Sequence, residues 1–233
     1  MLQNVVKNIN IKFDLKYIFL VIITKMITKV ILDFETSGLN PYHDDIIEIA
    51  MKVMDSDNQF TTLVKPKSNE CISDEISSLT GITNKMLMKE GQFWGDAYQS
   101  MNEWLNSVKG ENNKLVIISH NGESFDFIFL RNIFEELKKL GIKTIPIHKI
   151  IFIDTLLLSK RLLPRRNSYK QSSLCCIYNI NIDNSHRAMN DVESLEKLYI
   201  QLTNLLNKSY DKRKCFFENP QMVQDYIKIK YIL

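Results

Sequence analysis

Paired cysteines, glycine and long apolar runs are scarce in this sequence, and neither sign of charge dominates. The four cysteines are Cys71, Cys175, Cys176 and Cys215. None belongs to a C-x-x-C pair, and adjacent Cys175 and Cys176 are a poor start for a disulfide framework or a zinc site. They read as reduced thiols of an intracellular protein, with packing as their role. The apolar run YIFLVII, residues 17–23, falls far short of the roughly 20 residues that span a bilayer. Lys7, Lys12 and Lys16 precede it as in a signal peptide, but no small-residue cleavage site follows. The sequence therefore predicts no stable membrane contact. A net charge of +3 is too small to announce a nucleic-acid protein, although local basic patches matter more than the total. Scarce glycine, 7 of 233 residues, alongside abundant Ile, Asn and Lys fits an AT-rich genome and carries no functional weight.

What is present suits one soluble domain with a sizeable core, at 45% hydrophobic and 24% charged residues. Strands are predicted over 28–36, 44–55 and 59–66, with turns at NPYHD and DSDN. Residues 67–95 read as irregular with one short helix over 74–80. An amphipathic helix follows at 96–108, then an apolar strand at 114–120 and a long helix at 123–141 ended by Gly141. Residues 148–163 read as a buried strand running into a helix capped by Asp154 or Thr155. Further helices are predicted near 168–179 and over 188–206. A meander followed by alternating helices and strands gives an α/β fold with a mixed sheet. Residues 1–27 read as an extension outside the fold, 28–206 as the domain, and 207–233 as a tail or small added helix.

The stretch KVILDFETSGLN poses an electrostatic problem. Residues i and i+2 of a strand share a face, so Asp33 and Glu35 leave a strand built for burial side by side. Two such carboxylates repel each other and resist desolvation unless something neutralises them. SHNGESFDFIFL adds Asp126 in the first turns of a helix that follows a buried strand. SHRAMNDVESL adds His186 before a helix and Asp191 within its first turns. The counter-charge that fits is a pair of hard divalent cations, Mg²⁺ or Mn²⁺, held by oxygen ligands. Two such ions roughly 3.5–4 Å apart can hold the attacking and leaving oxygens of an in-line phosphoryl displacement. A histidine with an unperturbed pKa near about 6.5 suits the general base.

In these segments the sequence resembles the DEDDh, or DnaQ-like, 3′–5′ exonucleases of the ribonuclease H-like fold. DFETSGL resembles the first motif, HNGESFD the second and HRAMNDVESL the third, in order over about residues 28–205. A Thr80-Gly81-Ile82-Thr83 segment lies between. The resemblance implies a central mixed five-stranded sheet flanked by helices. It implies that Asp33, Glu35 and Asp191 hold two metal ions, with Asp126 helping directly or through water, and that His186 deprotonates the attacking water. The backbone at Thr36, the side chain of Leu39, and Asn121 would cradle the 3′-terminal nucleotide. The implied partner is nucleic acid with a free 3′ end, trimmed to nucleoside 5′-monophosphates, with a polymerase or repair partner in trans. TSGL and LTGIT lean toward DNA over RNA; an exoribonuclease is the alternative, and an inactive binding module the second. Gln171 stands where family members often carry Leu. The run Lys160, Arg161, Arg165, Arg166 and Lys170 reads as a solvated face, with substrate contact as the alternative.

The bland readings favour structure elsewhere. His43, His120 and His148 are expected in turns or at strand edges, Glu48 in an ion pair, and Trp94 and Trp104 in the core.

Overall fold

β-branched and aromatic residues make ITKVILDFET a strand, β1 (Ile27–Thr36), and its position in the sheet decides everything around it. The computed structural model describes residues 27–68, 70–110, 114–182, 187–209 and 219–228. Nearly all of the expected N-terminal extension lies outside the described residues, as do 210–218 and 229–233 of the expected tail. β1 pairs antiparallel with β2 (Ile46–Val53), which pairs antiparallel with β3 (Gln59–Leu63). On its other side β1 runs parallel to β4 (Lys114–Ser119), and β4 to β5 (Ile150–Asp154). The order β3-β2-β1-β4-β5 is a mixed five-stranded sheet with β1 at its centre.

Eight helices among the described residues cover the sheet. They are α1 (Asp74–Thr80), α2 (Asn84–Glu90), α3 (Trp94–Lys109), α4 (Asp126–Lys139), α5 (Thr155–Leu162), α6 (Gln171–Ile177), α7 (Ala188–Ser209) and α8 (Pro220–Lys228). Alternation along β1 separates two cores. Leu32 and Phe34 face α3 and α4 with Met101, Leu105, Phe127 and Leu130. Ile31 faces the opposite way, toward Ala188, Val192, Leu195 and Tyr199 of α7. On α7 those residues recur every three or four positions, so one stripe is buried along its whole length. None of the described helices is long and apolar enough to cross a membrane.

Two local predictions change. Residues 84–90, expected to be irregular, form α2. Thr83 accepts a hydrogen bond from the Met86 N–H at 3.2 Å, and Gly81, at φ +70°, closes α1 only three residues earlier. Seven residues are too few to show helical periodicity; Leu87, packed with Ile72 and Ile82 in a small third core, holds the helix down. The long helix expected from residue 123 is interrupted: a 3₁₀ turn over Gly122–Ser124 precedes α4, which starts at Asp126. That turn is pinned by Asp154, whose carboxylate accepts the N–H groups of Asn121 and Glu123, each at 3.1 Å. The same carboxylate caps α5 through Leu156 and Leu157.

At the outer strand, Gln224 of α8 donates to the carbonyl of Phe152 at 3.0 Å, with Pro220 and Val223 buried beneath the helix. Replacing Asp154 by Ala removes a helix cap and leaves loop donors without an acceptor, which should cost about 2–4 kcal/mol. Urea unfolding should show this as a lower midpoint at unchanged slope.

Candidate active site

Past Ile31, the last residue of β1 aligned with β4, the central strand continues alone on that side. The N–H of Phe34 is taken instead by Asp126 Oδ1 at 3.2 Å, and Ser119 at the end of β4 donates to Asp126 Oδ2 at 2.5 Å. Asp126 is thus bound to both strands and only 2% exposed. Its place at the start of α4 follows from the 3₁₀ turn that precedes it.

Asp33 and Glu35 leave the face of β1 that Ile31 occupies, the side covered by α7. The first turn of α7 brings Asp191 to them. One oxygen from each of Asp33, Glu35 and Asp191 lies within 4.8 Å of the others, and all three residues are half-buried. Asp126 stands beside this trio and outside it, close enough to raise the proton affinity of Asp33.

Directly across from Glu35 in the antiparallel register is Glu48, another carboxylate, 3% exposed. Facing like charges destabilise a sheet. Arg187, the residue before α7, resolves the conflict by donating to both Glu48 oxygens, at 2.8 and 3.4 Å. The Ala188 N–H adds a third bond at 3.1 Å, so Glu48 also serves the open N-terminus of α7. The register shifts between Glu35 and Thr36, which pair with Glu48 and Ile46 and leave Ile47 as the extra residue. Such bulges re-aim side chains beside active sites.

The electrostatics match the crowding. Burial, then Asp126, Glu35 and Asp191, hold the Asp33 carboxyl well above the ordinary range. Glu35 is pushed up to about 8 by burial first and by Asp191 and Glu48 next, with Arg187 opposing. Burial raises Asp126 to about 7 against its hydrogen bonds from Ser119 and Phe34. Carboxylates in this state must hold protons or a cation. A donor set made wholly of carboxylate oxygen fits hard divalent ions such as Mg²⁺ or Mn²⁺.

The other expected residues fall around this centre. Thr36 is buried and donates to the Gly38 carbonyl at 2.6 Å, shaping the turn from which Leu39 projects, 86% exposed. Asn121 is exposed at φ +66°, a left-handed conformation that asparagine tolerates. His186 lies outside the described residues. His120 spends both ring nitrogens, on Thr155 at 2.9 Å and on the Tyr169 carbonyl at 2.8 Å, which is a structural role. Glu48 makes the expected ion pair, and Trp94 and Trp104 pack against the first core.

Sequence reasoning missed the supporting residues. Gln171 Nε2 donates to the Asp191 carbonyl at 2.8 Å and to Ser194 Oγ at 2.9 Å, and it reaches Asp191 Oδ1 at 3.5 Å. An amide in a position where an aliphatic residue is common was the available signal. Ser119 and Arg187 had none, because their partners are distant in the chain.

The chain matches the RNase_T exonuclease family over residues 30–199 and belongs to that DnaQ-like family. It is 32% identical over 206 residues to the PolC-type DNA polymerase III of Thermotoga petrophila, covering 87% of this chain and 14% of that protein. The PolC-type polymerase of Bacillus subtilis is 30% identical over 178 residues, 75% of this chain and 11% of the polymerase. The chain therefore spans only a small part of the length of these relatives. Escherichia coli exonuclease I in complex with a dA16 oligonucleotide superposes with a TM-score of 0.62 at 19% identity, over 85% of this chain and 42% of that one. Exonuclease I of Methylocaldum szegediense gives 0.60 at 18% identity, over 78% and 40%. At these identities the likeness speaks for the ribonuclease H-like fold.

The raised carboxyl groups set a stability profile. In the metal-free protein they stay protonated where the unfolded chain, with carboxyl groups near about 4, has already ionised. The folded state then binds more protons, so stability present at low pH is lost as pH rises through the folded values, about 7 for Asp126 and about 8 for Glu35. Melting temperature in EDTA should fall between about pH 5 and pH 8, and Mn²⁺ should restore it far more at the upper end. A flat profile, indifferent to Mn²⁺, would contradict the assignment of these carboxylates as a cation site.

Proposed function

We propose that the chain is a metal-dependent 3′–5′ exonuclease. It hydrolyses phosphodiester bonds at the 3′ end of DNA, single-stranded or frayed, and releases nucleoside 5′-monophosphates. The observation that carries this reading is the meeting of Asp33, Glu35 and Asp191 within 4.8 Å, from a central strand and a helix far apart in sequence. Membership of the exonuclease family supports it.

Asp33, Glu35 and Asp191 would hold two Mg²⁺ or Mn²⁺ ions, with Asp126 contributing directly or through water. When bound, the ions supply neutralisation of the phosphate and a water acidic enough to attack at neutral pH. The remaining steps belong to the protein. Leu39, exposed on its turn, together with Thr36 and Asn121 holds the terminal nucleotide. His186 takes the proton of the attacking water. Gln171 and the Glu48–Arg187 pair keep the first turn of α7, and with it Asp191, in register with β1. Ser119 and the Phe34 N–H orient Asp126. The PolC-type relatives are DNA polymerases, which favours DNA as substrate and a polymerase or repair partner in trans.

The test is a gel assay with end-labelled single-stranded DNA and RNA of one sequence, in Mg²⁺ or Mn²⁺ and in EDTA. A metal-dependent ladder shortening from the 3′ end is expected, faster on DNA. Asp33→Ala and Asp191→Ala should abolish it, since each removes a ligand and leaves the other carboxylates uncompensated. His186→Ala should slow it by about 10²–10⁴-fold, the usual contribution of a general base. Undiminished activity in Asp33→Ala would overturn the assignment.

A further inference from the structure

The last turn of α5 and the segment between α5 and α6 carry cations that the fold does not use. Lys160, Arg165, Arg166 and Lys170 are all exposed, and among the described residues none is paired with a carboxylate. Arg161 differs: its guanidinium lies over the Tyr226 ring at 4.4 Å, so it belongs to the packing of α8. The sequence run thus divides into one structural arginine and four uncommitted charges.

The segment is held in place. Tyr169 Oη donates to the Leu163 carbonyl at 2.6 Å and accepts the Arg166 N–H at 3.2 Å, closing the loop on itself. Ser168 Oγ pairs with Ser173 Oγ at 2.9 Å and accepts the Lys170 N–H at 3.3 Å. Two tethers then fasten it beside the carboxylates. The Tyr169 carbonyl meets the ring of His120, which lies between Ser119 and Asn121, and Gln171, next to Lys170, bonds to Asp191. Burial holds His120 below the ordinary imidazole range, and the Lys160 ammonium adds a smaller effect in the same direction.

A nucleic-acid strand presents a polyanion to a centre that is itself acidic. Ions at the scissile phosphate compensate the charge there but not along the backbone that follows. Fixed cations flanking the cleft supply that attraction. We infer that Lys160, Arg165, Arg166 and Lys170 form a phosphate track that holds the single strand on the 5′ side of the scissile bond. The inference rests on the exonuclease reading and adds to it how the strand is held.

Binding of a 5′-labelled thymidylate 15-mer, followed by anisotropy in Ca²⁺ across a salt series, tests the track. For single strands the slope of log K against log salt is about −0.7 per phosphate neutralised. Arg165→Ala, Arg166→Ala and Lys170→Ala combined should flatten it by about 2. Lys170→Ala alone, one exposed side chain, should flatten it by about 0.7, which keeps the test valid should the triple variant fold poorly. Arg165→Lys with Arg166→Lys should retain the slope. In the cleavage assay the triple variant's loss in kcat/KM should grow with strand length, from a dinucleotide to the 15-mer. Wild-type cleavage with an unchanged slope in the variants overturns the track alone, as does a loss independent of length. A wild-type protein that neither binds nor cleaves any strand overturns the exonuclease reading and the track with it.

Discussion

Carboxylates on the buried face of a central strand are the constraint to which the rest of the structure answers. Asp33 and Glu35 interrupt a surface that Ile31 begins as ordinary core. Desolvation first, and then neighbouring carboxylates that include Asp126 and Asp191, hold both well above the ordinary carboxyl range. A fold optimised only for stability would place apolar residues there. This one surrounds the pair with groups that fix geometry while leaving the charge to be balanced from outside, as expected where local rules are broken for function.

The sheet order supplies the room. β1 is central, yet it runs on past Ile31, the last residue paired with β4, so its carboxyl end has no strand partner on that side. Ligands bind α/β sheets where the chain direction of neighbouring connections changes, and β1 lies between an antiparallel and a parallel neighbour. Two helices enter from opposite faces: α4 brings Asp126 from the side of the first core, and α7 brings Asp191 from the second. The site therefore samples both cores, and neither layer alone can assemble it.

Much of this was legible because the informative residues sit at strand ends and helix starts, where local chemistry is distinctive. Alternation in β1 and β2, the apolar runs of β4 and β5, and the stripe of α7 follow from side-chain periodicity. The carboxylates were visible as violations of that periodicity. What escaped depends on long-range partners. Asp154 reads as a helix cap and is one, but nothing local reveals that it also holds the turn before α4. Gln171 looks like an ordinary polar substitution until the fold sets it against Asp191. Arg187 and Ser119 gain meaning only from Glu48 and Asp126. α2 escaped for a different reason, being too short to carry a pattern and stabilised by a small separate core.

Glu48 joins two structural levels. It occupies one position in the β1–β2 register, next to the bulge at Ile47, and it also receives Arg187 and the first free N–H of α7 from 139 and 140 residues further along the chain. A slip of one residue in β2 would turn it to the other face. Helix docking then becomes conditional on correct strand pairing. Because the contact spans so much of the chain, closing it costs more chain entropy than a local pairing would. Until strands and helix are docked, Asp126 and Asp191 stand away from Asp33 and Glu35, and the cluster that concentrates their charge does not exist.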